Sequence, residues 1–230
     1  MKPDPFSGGE LPSAYREARN LPAVRHLLAE QVDMQFADLR ALLRLPHDEV
    51  APNIGCNVTA AAMILNQISG FSIWFFHTPY AQTFIKPEKK RKMPLAGRRF
   101  RGFVRAYYPR SLGEPTLTTV ARRLYEVRNL LSHNLGVTDL DKSSRRRGIG
   151  LMKPDPALTP EDIVDLELQA NFPLAGVPLR LEGATTRIYL PGLYWALGRM
   201  LRAALADQPT RCEQRADKLL QALPVPREAK

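Results

Sequence analysis

Residues 114–137 read EPTLTTVARRLYEVRNLLSHNLGV. Leu117, Val120, Leu124, Val127 and Leu131 recur three and four apart, the apolar seam of a helix that faces a core. Pro115 suits its first turn, Thr116 or Thr118 can cap it, and Gly136 stands where a left-handed C-terminal residue belongs. Off the seam, Arg122, Glu126, Asn129 and His133 form a second, polar row. Asn129 lies one turn before His133, close enough to orient its ring. Arg128 is about 140° round an ideal helix from His133. The two converge on one ligand only in a groove that wraps the helix end, such as a subunit interface. The stem of Arg128 also reaches the edge of the seam.

The remaining chain reads as further helices around this one. A helical pattern runs from Ser13 to Leu45 with a break or restart at Pro22, its seam carried by Leu28, Val32, Leu39 and Leu43. A second helix, about Asn53 to Phe76, is apolar on nearly all sides and is expected at the centre of the bundle. A basic loop over 86–99 leads to a short helix, about Arg99 to Tyr108. DKSSRRRGIG and MKPDPALTP read as loops. Two or three short strands are expected between 163 and 190, from the alternation in VDLELQA and a hairpin around Glu182-Gly183. Pro191 opens another helix, and a short one follows near 210–222. The expected organisation is a loose N-terminus (1–12), a helical core (13–140), a loop and small β-hairpin insertion (141–190), helices completing the bundle (191–222) and a polar tail (223–230). The fold class is mainly α, an up-and-down helical bundle with a small β-containing extension.

The 230-residue chain carries a formal charge of +10, with 33 Lys and Arg against 23 Asp and Glu. That excess favours anionic partners, nucleic acid foremost. Arginine supplies 24 of the 33 basic residues, a share that a GC-rich genome produces as readily as phosphate recognition. Cys56 and Cys212 form neither a CxxC pair nor a disulfide framework, which points to a reducing, cytoplasmic setting. The N-terminus has no apolar run behind a positive start, and polar residues interrupt the most apolar segment, so neither signal peptide nor membrane span is expected. No P-loop, GxGxxG or GxSxG occurs, and His26, His47 and His77 lack metal-ligand spacing. No metal and no cofactor are therefore expected. Asp139 and Asp141 read as solvent-exposed loop acids.

An imidazole with an ordinary pKa of about 6.5 serves as acid or base near neutrality. A place in the last helical turn favours its charged form through the carbonyl end of the dipole, as does Glu126, while the basic surroundings oppose it. On the residues alone, the bland alternative is a surface histidine with Arg128 in a local ion pair.

With its Arg128-Asn129 pair followed by His133 late in a bundle helix, LYEVRNLLSHNLG resembles the signature of the HEPN superfamily (higher eukaryotes and prokaryotes nucleotide-binding). The likeness covers about residues 20–137. It implies a HEPN-like bundle, a homodimer in which two motif copies meet, and metal-independent cleavage of RNA, in the manner of toxins or antiphage effectors. In that scheme His133 activates the ribose 2′-hydroxyl or protonates the leaving oxygen. Arg128 stabilises charge at the scissile phosphate, and Asn129 positions the histidine or a phosphate oxygen. Leu135 stands where one toxin branch has a tyrosine, which separates the chain from that branch and leaves any antitoxin partner an open expectation. Some HEPN proteins keep the bundle without nuclease activity.

Nine Lys and Arg fall between 86 and 105 against one acid, Glu88. Lys89, Lys90, Arg91, Lys92, Arg98, Arg99 and Arg101, together with Arg145, Arg146 and Arg147 beyond the motif, are the expected contacts to single-stranded RNA. Phe100, Phe103, Tyr107 and Tyr108 either stack on bases or, as helical spacing favours, pack inward. Two other readings stand beside the nuclease: a non-catalytic dimeric scaffold, and a nucleic-acid-binding protein working through the 86–105 segment.

Overall fold

A computed structural model describes residues 18–44, 56–75, 95–110, 113–133, 149–152, 179–183 and 185–222. Helices take up 79% of them, joined by one three-stranded sheet, so the chain is mainly helical with a small β element. Helix α1 (Pro22–Leu27) starts on Pro22, the restart expected there. It runs through a π-helical turn (Leu28–Val32) into α2 (Asp33–Arg44). Leu28, Val32, Phe36, Leu39 and Leu43 are buried along this rod, as their spacing requires. Then come α3 (Asn57–Phe75), α4 (Leu95–Tyr107), α5 (Leu117–His133), β1 (Ile149–Met152), β2 (Leu179–Glu182), β3 (Thr185–Tyr189), α6 (Leu190–Asp207) and α7 (Pro209–Ala222).

Two boundaries differ from the sequence pattern. Helix α3 begins at Asn57 rather than Asn53, because Cys56 takes a left-handed φ of 53° and offers its carbonyl oxygen to the Ala60 amide at 2.8 Å. Helix α4 starts at Leu95, four residues before Arg99, since its first turn packs on α5 through Gly97. Pro46, Gly136, the VDLELQA segment, His47, His77, Asp139 and Asp141 lie outside the described residues.

The most enclosed helix is α6, not α3. Every residue from Leu190 to Gly198 is buried, including Tyr194 and Trp195. Helix α3 touches α2, α4, α5, α6, α7 and β1, yet one of its faces is open, with Val58 48% and Ile73 42% exposed. Hydrophobicity all round a helix implies enclosure only where neighbours surround it. Helix α7 closes the bundle onto its beginning: the Glu213 carboxylate accepts hydrogen bonds from the Ala23 (2.8 Å) and Val24 (3.0 Å) amides, unpaired donors of the first turn of α1. Cys212 on the same helix is buried. Burial first, and the Asp207 charge second, push its thiol up to about 12, so it stays protonated at neutral pH.

The hairpin expected around Glu182-Gly183 is present. β2 pairs antiparallel with β3, and Gly183 takes φ 58° in the turn. The third strand, β1, arises from residues read as loop and pairs parallel with β3, Ile149 opposite Thr186. It is only four residues long, and its partner lies far along the chain, so periodicity does not reveal it. The order is β1-β3-β2. Gly150 stands where a Cβ would lie 3.3 Å from the Arg187 side chain, so that stem crosses the strand over the glycine.

One carboxylate ties sheet and bundle together. Glu114, in the α4–α5 connection, is only 4% exposed. Its Oε1 accepts from the Tyr108 hydroxyl at 2.6 Å and from the Leu179 amide at 3.2 Å, while its carbonyl oxygen accepts from Arg110 Nη2 at 3.1 Å. Beyond α4, the Tyr107 hydroxyl donates to Asp207 Oδ2 at 2.7 Å, joining the end of α4 to the end of α6.

Glu114→Ala leaves a buried hydroxyl and a buried amide without an acceptor. The expected cost is about 2–5 kcal/mol in urea unfolding. Glu114→Gln keeps an acceptor oxygen and should lose less; equal losses would contradict the assigned role. Burial first, and the neighbouring Glu114 charge second, hold the Tyr108 phenol well above its ordinary 10.0. A raised folded pKa contributes stability that is present below pH 10 and is lost as pH climbs through 10 toward the folded value. Unfolding free energy should therefore fall more steeply between about pH 9.5 and 11 in the wild type than in Tyr108→Phe. Gly97→Ala would place a Cβ 2.7 Å from the Tyr125 hydroxyl and 2.8 Å from its ring. Overpacking should outweigh the gain in helix propensity and lower the melting midpoint by about 2–6 °C; a higher midpoint would show that the ring yields freely.

Candidate functional site

Helix α5 is built as its sequence demands, with two refinements. Thr116 caps it: its hydroxyl accepts from the Thr119 amide at 3.4 Å, and its carbonyl from the Val120 amide at 2.9 Å. Pro115 therefore precedes the cap instead of lying in the first turn, and Thr118 is an exposed helical residue. Val120, Leu124, Val127 and Leu131 are buried, with Leu117 partly so. The helix ends at His133.

The polar row behaves differently along its length. Arg122 is exposed. Glu126 pairs with Arg123 at 3.0 Å, a partner one turn back that the sequence pattern did not single out. Arg128 and Asn129 are both half-buried, and Arg128 Nη1 donates to Asn129 Oδ1 at 3.2 Å. Adjacent helical residues point about 100° apart, so this bond requires the arginine to run round the helix. Its Nε is buried and has no hydrogen-bond partner, as expected for a stem packed at the edge of the seam. The guanidinium end is thereby carried from the seam toward the row on which Asn129 and the Cα of His133 stand. Among the described residues Arg128 bonds to this amide and forms no ion pair.

Helix α4 supplies the neighbouring wall. Its contact with α5 centres on Gly97 beneath the Tyr125 ring and on Phe100, whose ring centroid is 5.5 Å from that of Tyr125. A nine-residue connection turns the chain back, so the helices run antiparallel. The first turn of α4 and the last turns of α5 therefore lie at the same end of the pair. The amide end of α4, with its partial positive charge, faces the same way as the carbonyl end of α5. Arg98 is exposed on α4, and Arg99, Arg101 and Arg105 are half-buried.

The aromatics interleaved with this basic stretch are not available to bases. Phe100 and Phe103 are fully buried and Tyr107 nearly so, because helical spacing turns them into the core, and Tyr108, just past α4, is buried with its hydroxyl on Glu114. Lys89, Lys90, Arg91 and Lys92 lie outside the described residues, as do Arg145, Arg146 and Arg147. His26 is exposed on α1. Among the described residues no three His, Cys, Asp or Glu cluster in a way that could hold a metal ion, and no helix is long and apolar enough to cross a membrane.

Compared with protein-family models, curated proteins and solved structures, the chain matches none. The site reading therefore stands on the geometry of α5 and its motif.

The Arg128–Asn129 bond has a measurable signature. A double-mutant cycle of Arg128→Ala and Asn129→Ala in urea unfolding should give a coupling of about 0.5–1.5 kcal/mol. Zero coupling would mean that the two side chains do not hold each other.

Proposed function

We propose that the chain is a HEPN-like endoribonuclease that cleaves single-stranded RNA without a metal, acting as a homodimer. The observation that carries this reading is the Arg128–Asn129 pair. It draws a guanidinium onto the polar row little more than one turn from the end of α5, where the motif also places His133. In the proposed reaction the histidine takes the 2′-hydroxyl proton or delivers one to the departing 5′-oxygen. The 2′-oxygen attacks phosphorus, the bond to the 5′-oxygen breaks, and the products are a 2′,3′-cyclic phosphate and a 5′-hydroxyl. The Nη end of Arg128 meets the charge that grows on the non-bridging oxygens. Asn129 Oδ1 is occupied by Arg128, which leaves its Nδ2 to donate to a phosphate oxygen or to the ring.

Electrostatics support the same substrate. The +10 charge attracts a polyanion from any side, and Arg98 and Arg99 stand at the end of the α4–α5 pair where the motif lies. Among the described residues, burial of Phe100, Phe103, Tyr107 and Tyr108 favours phosphate contacts over base stacking as the means of holding the strand. Affinity should therefore depend steeply on salt and weakly on sequence.

The purified chain should cut single-stranded RNA in the presence of EDTA. His133→Ala should reduce the rate by at least about 100-fold while the circular dichroism spectrum and melting midpoint stay within error. Undiminished cutting by the variant would falsify the role of His133. Salt-dependent binding without cutting, indifferent to His133, would assign the chain to nucleic-acid binding. Neither cutting nor binding would leave the scaffold reading, in which Arg128 and Asn129 serve only each other.

A further inference from the structure

Helix α7 sorts its charges onto two flanks. Glu213 and Asp217 stand four apart on one. Arg211, Arg215 and Lys218, at i, i+4 and i+7, stand about 150° round the helix on the other. Both acids are engaged by neutral donors. Glu213 accepts from the Ala23 and Val24 amides of α1, and Asp217 Oδ2 accepts from Gln221 Nε2 at 2.8 Å. Neither acid is placed to neutralise the basic flank, where Arg211 and Lys218 are exposed and Arg215 is half-buried.

Helix stability does not account for this stripe. Like charges three or four apart on a helix repel, and Arg211–Arg215 and Arg215–Lys218 are both such pairs. Arg211 also stands in the first turn, which holds no acid, at the end of the dipole that favours negative charge. Arg215 Nε is buried and has no hydrogen-bond partner among the described residues, so packing holds its stem. An anion laid along the stripe relieves both repulsions and complements the helix end.

We propose that this flank of α7 is a second contact for single-stranded RNA, one that grips the phosphate backbone away from the candidate cleavage site. The steps of the stripe, about 6 and 4.5 Å along the axis, suit successive phosphates of an extended strand. The other outward residues, Thr210, Gln214 and Gln221, are polar, while Leu219 and Leu220 pack on the core. A lipid surface or a protein partner finds no apolar anchor there, and phosphate contacts need none. The Tyr107–Asp207 bond puts the corner between α6 and α7 at the closing end of α4, whereas Arg128 and Asn129 lie by its opening. With 13 residues in α4, the two contacts are on the order of 20 Å apart. Only a strand long enough to span that distance reaches both. This contact rests on the nuclease reading for its ligand and not for its chemistry, since gripping needs no cleavage.

Fluorescence anisotropy with 2′-O-methyl oligouridines, which offer no 2′-hydroxyl to attack, tests it on the full chain. An oligomer of about 20 nucleotides should bind more tightly than one of about 5. For the longer one, Lys218→Gln should reduce the slope of log affinity against log salt by about 0.7, and Arg215→Gln together with Lys218→Gln by about 1.4. Lys218 is exposed, so its variant should keep the wild-type melting midpoint, which separates a lost contact from a lost fold. Arg180→Gln, an equal loss of charge at an exposed residue of β2, should leave the slope unchanged. Unchanged slopes in the α7 variants overturn the proposal. So does an equal fall in Arg180→Gln, which would assign the effect to net charge alone. Binding to phosphatidylserine vesicles that depends on Lys218, with none to RNA, overturns it in favour of a membrane. Cleavage is scored separately on unmodified RNA. Slopes that fall as expected in a chain that cuts nothing uphold the α7 contact and discard the nuclease; unchanged slopes in a chain that cuts do the reverse.

Discussion

The buried carboxylate of Glu114 is the constraint on which the arrangement of helices and sheet rests. Taking a carboxylate out of water is costly unless its oxygens are bonded, and here one oxygen gathers a phenol from the end of α4 and an amide from the start of β2. The same residue precedes the cap of α5, so the turn between the antiparallel helices and the docking of the hairpin are fixed at one point. From that point α5 runs back along α4, held further on by Tyr125 over Gly97. Its last two turns reach the opening of α4. The position of Arg128 and Asn129 is thus set from the start of α5, about three helical turns before them.

Charge and burial divide the surface into faces with different uses. The guanidinium of Arg128 stays half-buried and oriented by Asn129, whereas Arg122 and Arg98 stand in solvent. An arginine held in one place suits charge stabilisation at a reacting phosphate; mobile, solvated ones suit long-range attraction. The open side of α3 carries neither kind. The same chain therefore presents arginines at one end of the α4–α5 pair and an uncharged outer side on α3.

Much of the bundle was legible in the sequence, because helical periodicity and caps are local. The seam of α5, the restart at Pro22, the inward turn of Phe100 and Tyr107 and the hairpin at Gly183 all follow from residues within a turn or two of one another. What depended on distant partners was not legible. β1 is defined by a strand more than thirty residues on, Glu114 looks like an ordinary acid before a proline, and Glu213 caps a helix at the other end of the chain. The exposure of α3 belongs to the same class: composition gives hydrophobicity but not which neighbours cover it. At the candidate site, the row of Asn129 and His133 could be read from spacing. The reach of Arg128 round the helix could not, since an ideal wheel places its stem but not its head.

The most direct test of the nuclease account is the chemistry of the cut ends. With single-stranded RNA in EDTA, the account predicts upstream fragments ending in a 2′,3′-cyclic phosphate and downstream fragments beginning with a 5′-hydroxyl. A single 2′-deoxy substitution at the cleaved nucleotide should abolish the cut. Fragments with 3′-hydroxyl and 5′-phosphate ends, or cleavage that survives the 2′-deoxy substitution, would contradict it.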